Sequence, residues 1–402
     1  MRNVIRGALL CLAFAGLLSG CGDGGGKSGG VQTLNFSNFT SAAQVIGQPD
    51  FTSNAPNQGG AAGANTLFHP FGNPLVVNGR LYLPDNENNR ILGFNSVSTT
   101  NNVSADFVLG QSDFTSTASG TAADALSLPS SVKYYNGKMI VCDFLNNRIL
   151  IWNTIPTTSG VPADVVVGQT DFSTNSPATT QAGLSSPIEL EVADGKLIVA
   201  DRDNNRVLIW NTIPTANGTP ADLVLGQNDF TSGSTNGGNA NPSASTLAGP
   251  YGVWSDGTRL IVCDFGNHRV LIWKSFPTTN GAPADIVLGQ SDFSHIEPNA
   301  GNAIPTAATL SRPAHITSNG VQLFLSDTFN NRVLIWNSFP TANFQAADRV
   351  LGQSVFTQNA SNAGNSSPSA KTLSFPSGLY IYGKKLFVSD YSNNRCLIFQ
   401  AQ

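Results

Sequence analysis

The sequence predicts an all-β fold: a six-bladed β-propeller of four-stranded antiparallel blades, closed by an N-terminal strand that joins the last blade. Three observations predict it. One phrase recurs six times along the chain, each copy sits in a unit of four short apolar segments, and the two chain ends carry complementary parts of a unit.

The recurring phrase reads LPDNENNRILGF, VCDFLNNRILIW, VADRDNNRVLIW, VCDFGNHRVLIW, LSDTFNNRVLIW and VSDYSNNRCLIF. Its aspartates, Asp85, Asp143, Asp201, Asp264, Asp327 and Asp390, are spaced by 58, 58, 63, 63 and 63 residues, too far apart for one hairpin per repeat. In the third unit the strands are IELEVA, KLIVAD, RVLIWN and ADLVLG. Asn204 and Asn205 fall between the second and third, where a tight hairpin takes residues that tolerate positive φ. The third and fourth are separated by a loop whose Pro and Gly cannot continue a strand. Four antiparallel strands per unit make a propeller blade.

Closure follows from the glutamine that ends each fourth strand. The GQ pair occurs at Gly47, Gly110, Gly168, Gly226, Gly289 and Gly352, so one copy precedes the first blade and none follows the sixth. The segment AAQVIGQ near the N-terminus is therefore expected to complete blade six and to bury its open edge.

The phrase VADRDNNRVLIW, with a proline and an inner strand ahead of it, resembles the NHL repeat, and the resemblance covers all six units, residues 42–402. It implies a six-bladed propeller. Such propellers serve as binding modules and scaffolds and, in related six-bladed families, as enzymes. The units here are longer than the usual repeat, and the excess lies in loops such as TSGSTNGGNANPSAST.

The ends of the chain give an address. Arg2 and Arg6 precede the apolar run Ala8–Leu18, which is too short to span a bilayer, and Leu18, Ser19, Gly20 and Cys21 resemble the lipobox of bacterial lipoproteins. Residues 1–20 are expected to be a lipoprotein signal peptide, and 21–41 a lipidated Cys21 with a flexible tether. The implied location is export and lipid anchoring at the cell envelope. Gly22 after the cysteine points to the outer membrane by resemblance to enterobacterial sorting.

Only 11% of residues are charged and the net charge is −4, which gives no basic field for nucleic acid. Cys142, Cys263 and Cys396 have no metal-type spacing and are expected to be buried free thiols.

Repetition separates scaffold from candidate site. A residue present in every blade holds blades together, and this removes the six hairpin aspartates and the six arginines five residues after them, Arg90, Arg148, Arg206, Arg269, Arg332 and Arg395. It also removes the AD and DF aspartates. His268 replaces the second Asn of a hairpin turn and is read as structural.

What remains concentrates just after the proline that opens each blade. Two residues beyond it lie Gly72, Ser131, Glu189, Gly252, His315 and Gly378, and two further on Pro74, Lys133, Glu191, Trp254, Thr317 and Tyr380. Period two places both sets on one face of the inner strands, leaning toward the central channel. Glu189, Glu191, His315 and Lys133 are the candidate ligand-binding residues, with Asn73 or His69 as neighbours. The expected function is a non-enzymatic binding or scaffolding lipoprotein that presents a propeller face to protein or polysaccharide, with no cofactor. The alternative is a metal-dependent, lactonase-like hydrolase or a lyase working in the channel, with calcium or zinc as its metal.

Overall fold

The structure, a computed structural model, describes residues 33–402. The signal segment and Cys21 lie outside the described residues. Six four-stranded antiparallel sheets are arranged in a ring, and the cores lie between neighbouring sheets. The innermost strands are Leu75–Val77, Pro129–Tyr135, Pro187–Ala193, Pro250–Ser255, Pro313–Ser318 and Pro376–Tyr382. In blade three the remaining strands are Lys196–Asp201, Arg206–Trp210 and Leu223–Leu225, each nearly all buried.

Each blade's second and third strands meet at a single 3-10 turn rather than a two-residue hairpin. In blade three this turn is Arg202–Asn204, and Asn205 alone adopts positive φ, at 52°. Asn204 instead turns its side chain inward and donates to Asp201 Oδ2 at 2.8 Å. Arg206 Nε donates to the same oxygen at 2.6 Å, and its outer nitrogens reach the loop carbonyls of Phe230, Thr180 and Gly183. Asp201 Oδ1 takes the N–H of Ser185 at 2.6 Å. The same Asp–Arg pair recurs in all six blades with neither side chain exposed. One buried arginine per blade thus satisfies the carbonyls of two irregular loops, which have no strand to bond to.

The residue at positive φ links each blade to the next. Asn205 Oδ1 accepts the N–H of Gly249, and Asn394 Oδ1 accepts that of His69, which closes the circuit from blade six to blade one, both at 2.8 Å. His268 stands at this position in blade four and its Nδ1 accepts the N–H of Arg312 at 3.0 Å, so the ring nitrogen replaces an amide oxygen.

Blade six is completed as expected: Gln44–Ile46 pairs antiparallel with Arg395–Gln400, Val45 opposite Leu397. The ring, however, reaches further toward the N-terminus than residue 42. Leu34 and Phe36, grouped by sequence with the tether, are buried against the core between blades five and six. Their segment takes the place of the loop between third and fourth strands that blade six lacks. In blades three to five that loop covers the outer edge of the preceding blade: Asn280 Oδ1 accepts from Val224 N–H, and Gly281 N–H donates to Val224 O. Asn38 and Phe39 do the same for Val350 of blade five. No helix among the described residues is long and apolar enough to cross a membrane.

Candidate functional site

The channel-facing residues fall into two tiers, set by a β-bulge where most inner strands begin. In blade three the register shifts between Pro187 and Glu189, and in blade five between Pro313 and His315. A bulge re-aims the side chain that follows it. Glu189 and His315 are thereby brought together from non-adjacent blades, His315 Nε2 standing 3.2 Å from Glu189 Oε2, with the two side chains each only 3% exposed.

This deep tier is a polar cluster sealed in protein. Ser131 Oγ lies 2.7 Å from Glu189 Oε1 and 2.8 Å from Asn73 Oδ1, and Asn73 Nδ2 donates to Val132 O at 2.8 Å. Asn73 therefore joins the cluster through Ser131. The His315 ring is not lined up to donate to Glu189, and its Nδ1 has no hydrogen-bond partner among the described residues. Gly72 and Gly378, at equivalent positions, are there for close packing. A Cβ on Gly378 would fall on Gly72 O, and one on Gly72 would fall on Ser130 O.

The second tier opens to solvent. Lys133 Nζ lies 3.1 Å from Glu191 Oε2, with the side chains 15% and 12% exposed, and Glu191 Oε1 takes the N–H of Val192 at 2.8 Å. Burial pushes the Glu191 carboxyl above its usual range against the pull of Lys133. For Lys133 burial acts downward, but Glu191 and Glu189 outweigh it and its ammonium is held above its usual value. The pair belongs to a cavity of about 320 Å³ walled by Tyr134, Tyr135, Trp254, Thr317 and Tyr380. The cavity lies on the face of the ring that carries the hairpins between first and second strands.

The other end of the channel is shut. Phe71 of blade one and Tyr251 of blade four, on opposite sides of the ring, meet edge to face with centroids 6.1 Å apart, and Tyr391 packs on Phe71 at 5.9 Å. From there a file of rings and guanidinium groups runs around the face that carries the long loops: Phe144, Arg202, Tyr251, Phe265, Arg312, Phe329 and Phe375. His69 belongs to this end. It stacks on Tyr391 at 4.4 Å with its Nδ1 4.0 Å from Glu87, and it does not join Glu189 and His315, because it precedes Pro70 and the inner strand begins only beyond that proline.

The acidic, imidazole and thiol donors do not by themselves make a metal site. Among the described residues no three His, Cys, Asp or Glu side chains converge as a metal site would require. Glu189 and His315 supply two ligands, and Cys142 and Cys263 are buried free thiols that burial pushes far from the thiolate form.

Sequence reasoning missed the aromatic plug. Its residues flank the opening proline or follow the hairpin aspartate, and at those positions the blades differ: Phe71, Ser130, Ile188, Tyr251, Ala314 and Ser377 after the proline. That variation was the available signal.

No protein-family model matches this sequence, and no curated protein matches it in sequence. Solved structures similar to it include a virginiamycin B lyase from Staphylococcus aureus, with 12% identity, 84% of this chain and 97% of that chain covered, and a TM-score of 0.42. A PQQ-bound aldose sugar dehydrogenase from Streptomyces coelicolor shares 15% identity over 85% of this chain and 96% of that chain, with a TM-score of 0.46. A protein of unknown function from Bacteroides thetaiotaomicron shares 8% identity over 90% of this chain and 75% of that chain, with a TM-score of 0.49. Likeness at this level says nothing of activity.

Proposed function

We propose that this protein is a non-enzymatic binding lipoprotein of the cell envelope, held by lipid on Cys21 at the outer membrane, and that its ligand enters the cavity around Lys133 and Glu191. One observation carries the reading. A charged pair that the repeat does not require sits at equivalent positions of adjacent inner strands, at the floor of an open, aromatic-walled cavity. The resemblance of the units to the NHL repeat supports a binding role, because such propellers serve as binding modules. Apart from the cavity's ligand, the propeller face would take a protein or polysaccharide partner.

The alternative, a metal-dependent hydrolase or lyase, would need further ligands beside Glu189 and His315, and among the described residues no third His, Cys, Asp or Glu converges on them. Elemental analysis separates the two readings: stoichiometric calcium or zinc in purified protein overturns the preferred one. The direct test is calorimetry of the wild type and of Lys133→Met against a panel of oligosaccharides and peptides. A ligand bound by the first and lost by the second supports the cavity, and identical binding by both rejects it.

A further inference from the structure

The chemistry of the cavity narrows the class of its ligand, on the reading that the cavity is the binding site. Lys133 and Glu191 are 58 residues apart but side by side, each on an inner strand of its own blade, so their charges are held at a fixed separation of 3.1 Å. Lys133 has three donors, of which Glu191 takes one. Glu191 engages Lys133 through one oxygen and the N–H of Val192 through the other, and a carboxylate retains further lone pairs.

A ligand with one charge is a poor match for such a pair. An anion that draws Lys133 away leaves Glu191 with little solvent and no counter-charge, and a cation that captures Glu191 strands Lys133. A molecule with an acidic group and an ammonium group answers both at once. Its acid meets the free donors of Lys133, its ammonium meets Glu191, and no charge is left unpaired. The walls add to this, since Tyr134 and Tyr135 are among the lining residues and an aromatic ring attracts an ammonium.

We propose that the Lys133–Glu191 cavity binds a zwitterion, acidic group on Lys133 and ammonium on Glu191. Where the chain joins the ring bears on the source. Leu34 is tied to Gln322, N–H to Oε1 at 2.6 Å, and Gln322 lies between Pro313–Ser318 and Leu323–Asp327, in a hairpin on the same face as the cavity. Cys21 is only twelve residues before Thr33, so a lipid on it keeps this face within about 40 Å of a bilayer. A zwitterionic lipid headgroup is one source of the ligand and a free zwitterion the other.

The test uses calorimetry of the full chain carrying Cys21→Ala, with phosphoethanolamine as probe and ethyl phosphate and ethylammonium as singly charged controls. Phosphoethanolamine is expected to bind at least tenfold more tightly than either control. Lys133→Met and Glu191→Gln should each lose at least tenfold. The exchange Lys133→Glu with Glu191→Lys should restore binding, which guards against a single variant that merely misfolds. Sedimentation with vesicles of phosphatidylethanolamine, but not of phosphatidylglycerol, assigns the lipid source if it depends on Glu191. Binding in solution without sedimentation assigns a free zwitterion. Equal affinity for a control, or none for phosphoethanolamine, overturns the proposal. A neutral oligosaccharide bound through Lys133 would then leave the cavity standing as the ligand site, whereas no Lys133-dependent ligand at all would remove both.

Discussion

Asn38 Oδ1 accepts the backbone N–H of Val350 at 3.1 Å, tying the described N-terminal segment to the outer strand of blade five, 312 residues away. Phe39 N–H returns a bond to Val350 O at 3.0 Å. An outer strand presents unpaired amides to other chains, and this contact covers one such edge.

Deleting residues 33–48 should therefore open two edges, by stripping blade six of its fourth strand and uncovering blade five. The expected result is aggregation or a large fall in melting temperature, read by size-exclusion chromatography and calorimetry. Removing residues 22–30, a glycine-rich polar stretch, should be nearly neutral. Equal stability of the two truncations would contradict the closure described here.

Asp201→Asn tests the repeated scaffold. It leaves Arg206 fully buried without its counter-charge, and the expected loss is about 3–5 kcal/mol, measured by denaturant unfolding. Loss of less than about 1 kcal/mol would mean that the loop carbonyls alone hold the guanidinium.

His268 should make the fold acid-sensitive. Burial, aided by Arg312, lowers its pKa from 6.5 to about 4. Between those values the unfolded chain takes up a proton that the folded ring refuses, so stability falls as the pH falls from 6.5 to about 4. The slope is at most about 1.4 kcal/mol per pH unit. His268→Asn restores the residue used by the other five turns and should flatten the melting temperature across that window. An unchanged pH profile would show that His268 titrates alike in both states.

The two tiers of the channel should respond differently to substitution. Glu189→Ala removes the carboxylate that Ser131 bonds and that stands beside His315 in a sealed cluster, and about 1–3 kcal/mol of stability should go with it. Glu191→Gln removes the counter-charge of Lys133 where solvent still reaches it, and should lower the melting temperature less than Glu189→Ala does. If both variants melt early, the mouth is as structural as the interior.

Cys21→Ala tests the address. The variant should move from the membrane fraction to a soluble one, or fail to mature, when cell fractions are probed by immunoblot. Normal processing with unchanged membrane retention would remove the lipoprotein reading.

Much of this molecule was legible because a repeat reports on itself. Six copies of Asp, Asn and Arg at fixed spacing announced blades, a turn and a scaffold role for the repeated charges, and the GQ count announced the closing strand. The sequence even contained what the boundary at residue 42 overlooked, since NFTSAAQVIGQ from Asn38 parallels NFQAADRVLGQ from Asn343. Period-two alternation also placed Lys133, Glu189, Glu191 and His315 on the channel side. It could not say that Glu189 and His315 would be sealed while Lys133 and Glu191 stay open to solvent, nor that Phe71 would reach Tyr251. Strand pairing within a blade is a local matter, written in neighbouring residues. Contact across the axis depends on how far each inner strand leans in and which side chain the blade opposite presents, and only the closed ring brings those residues within reach of one another.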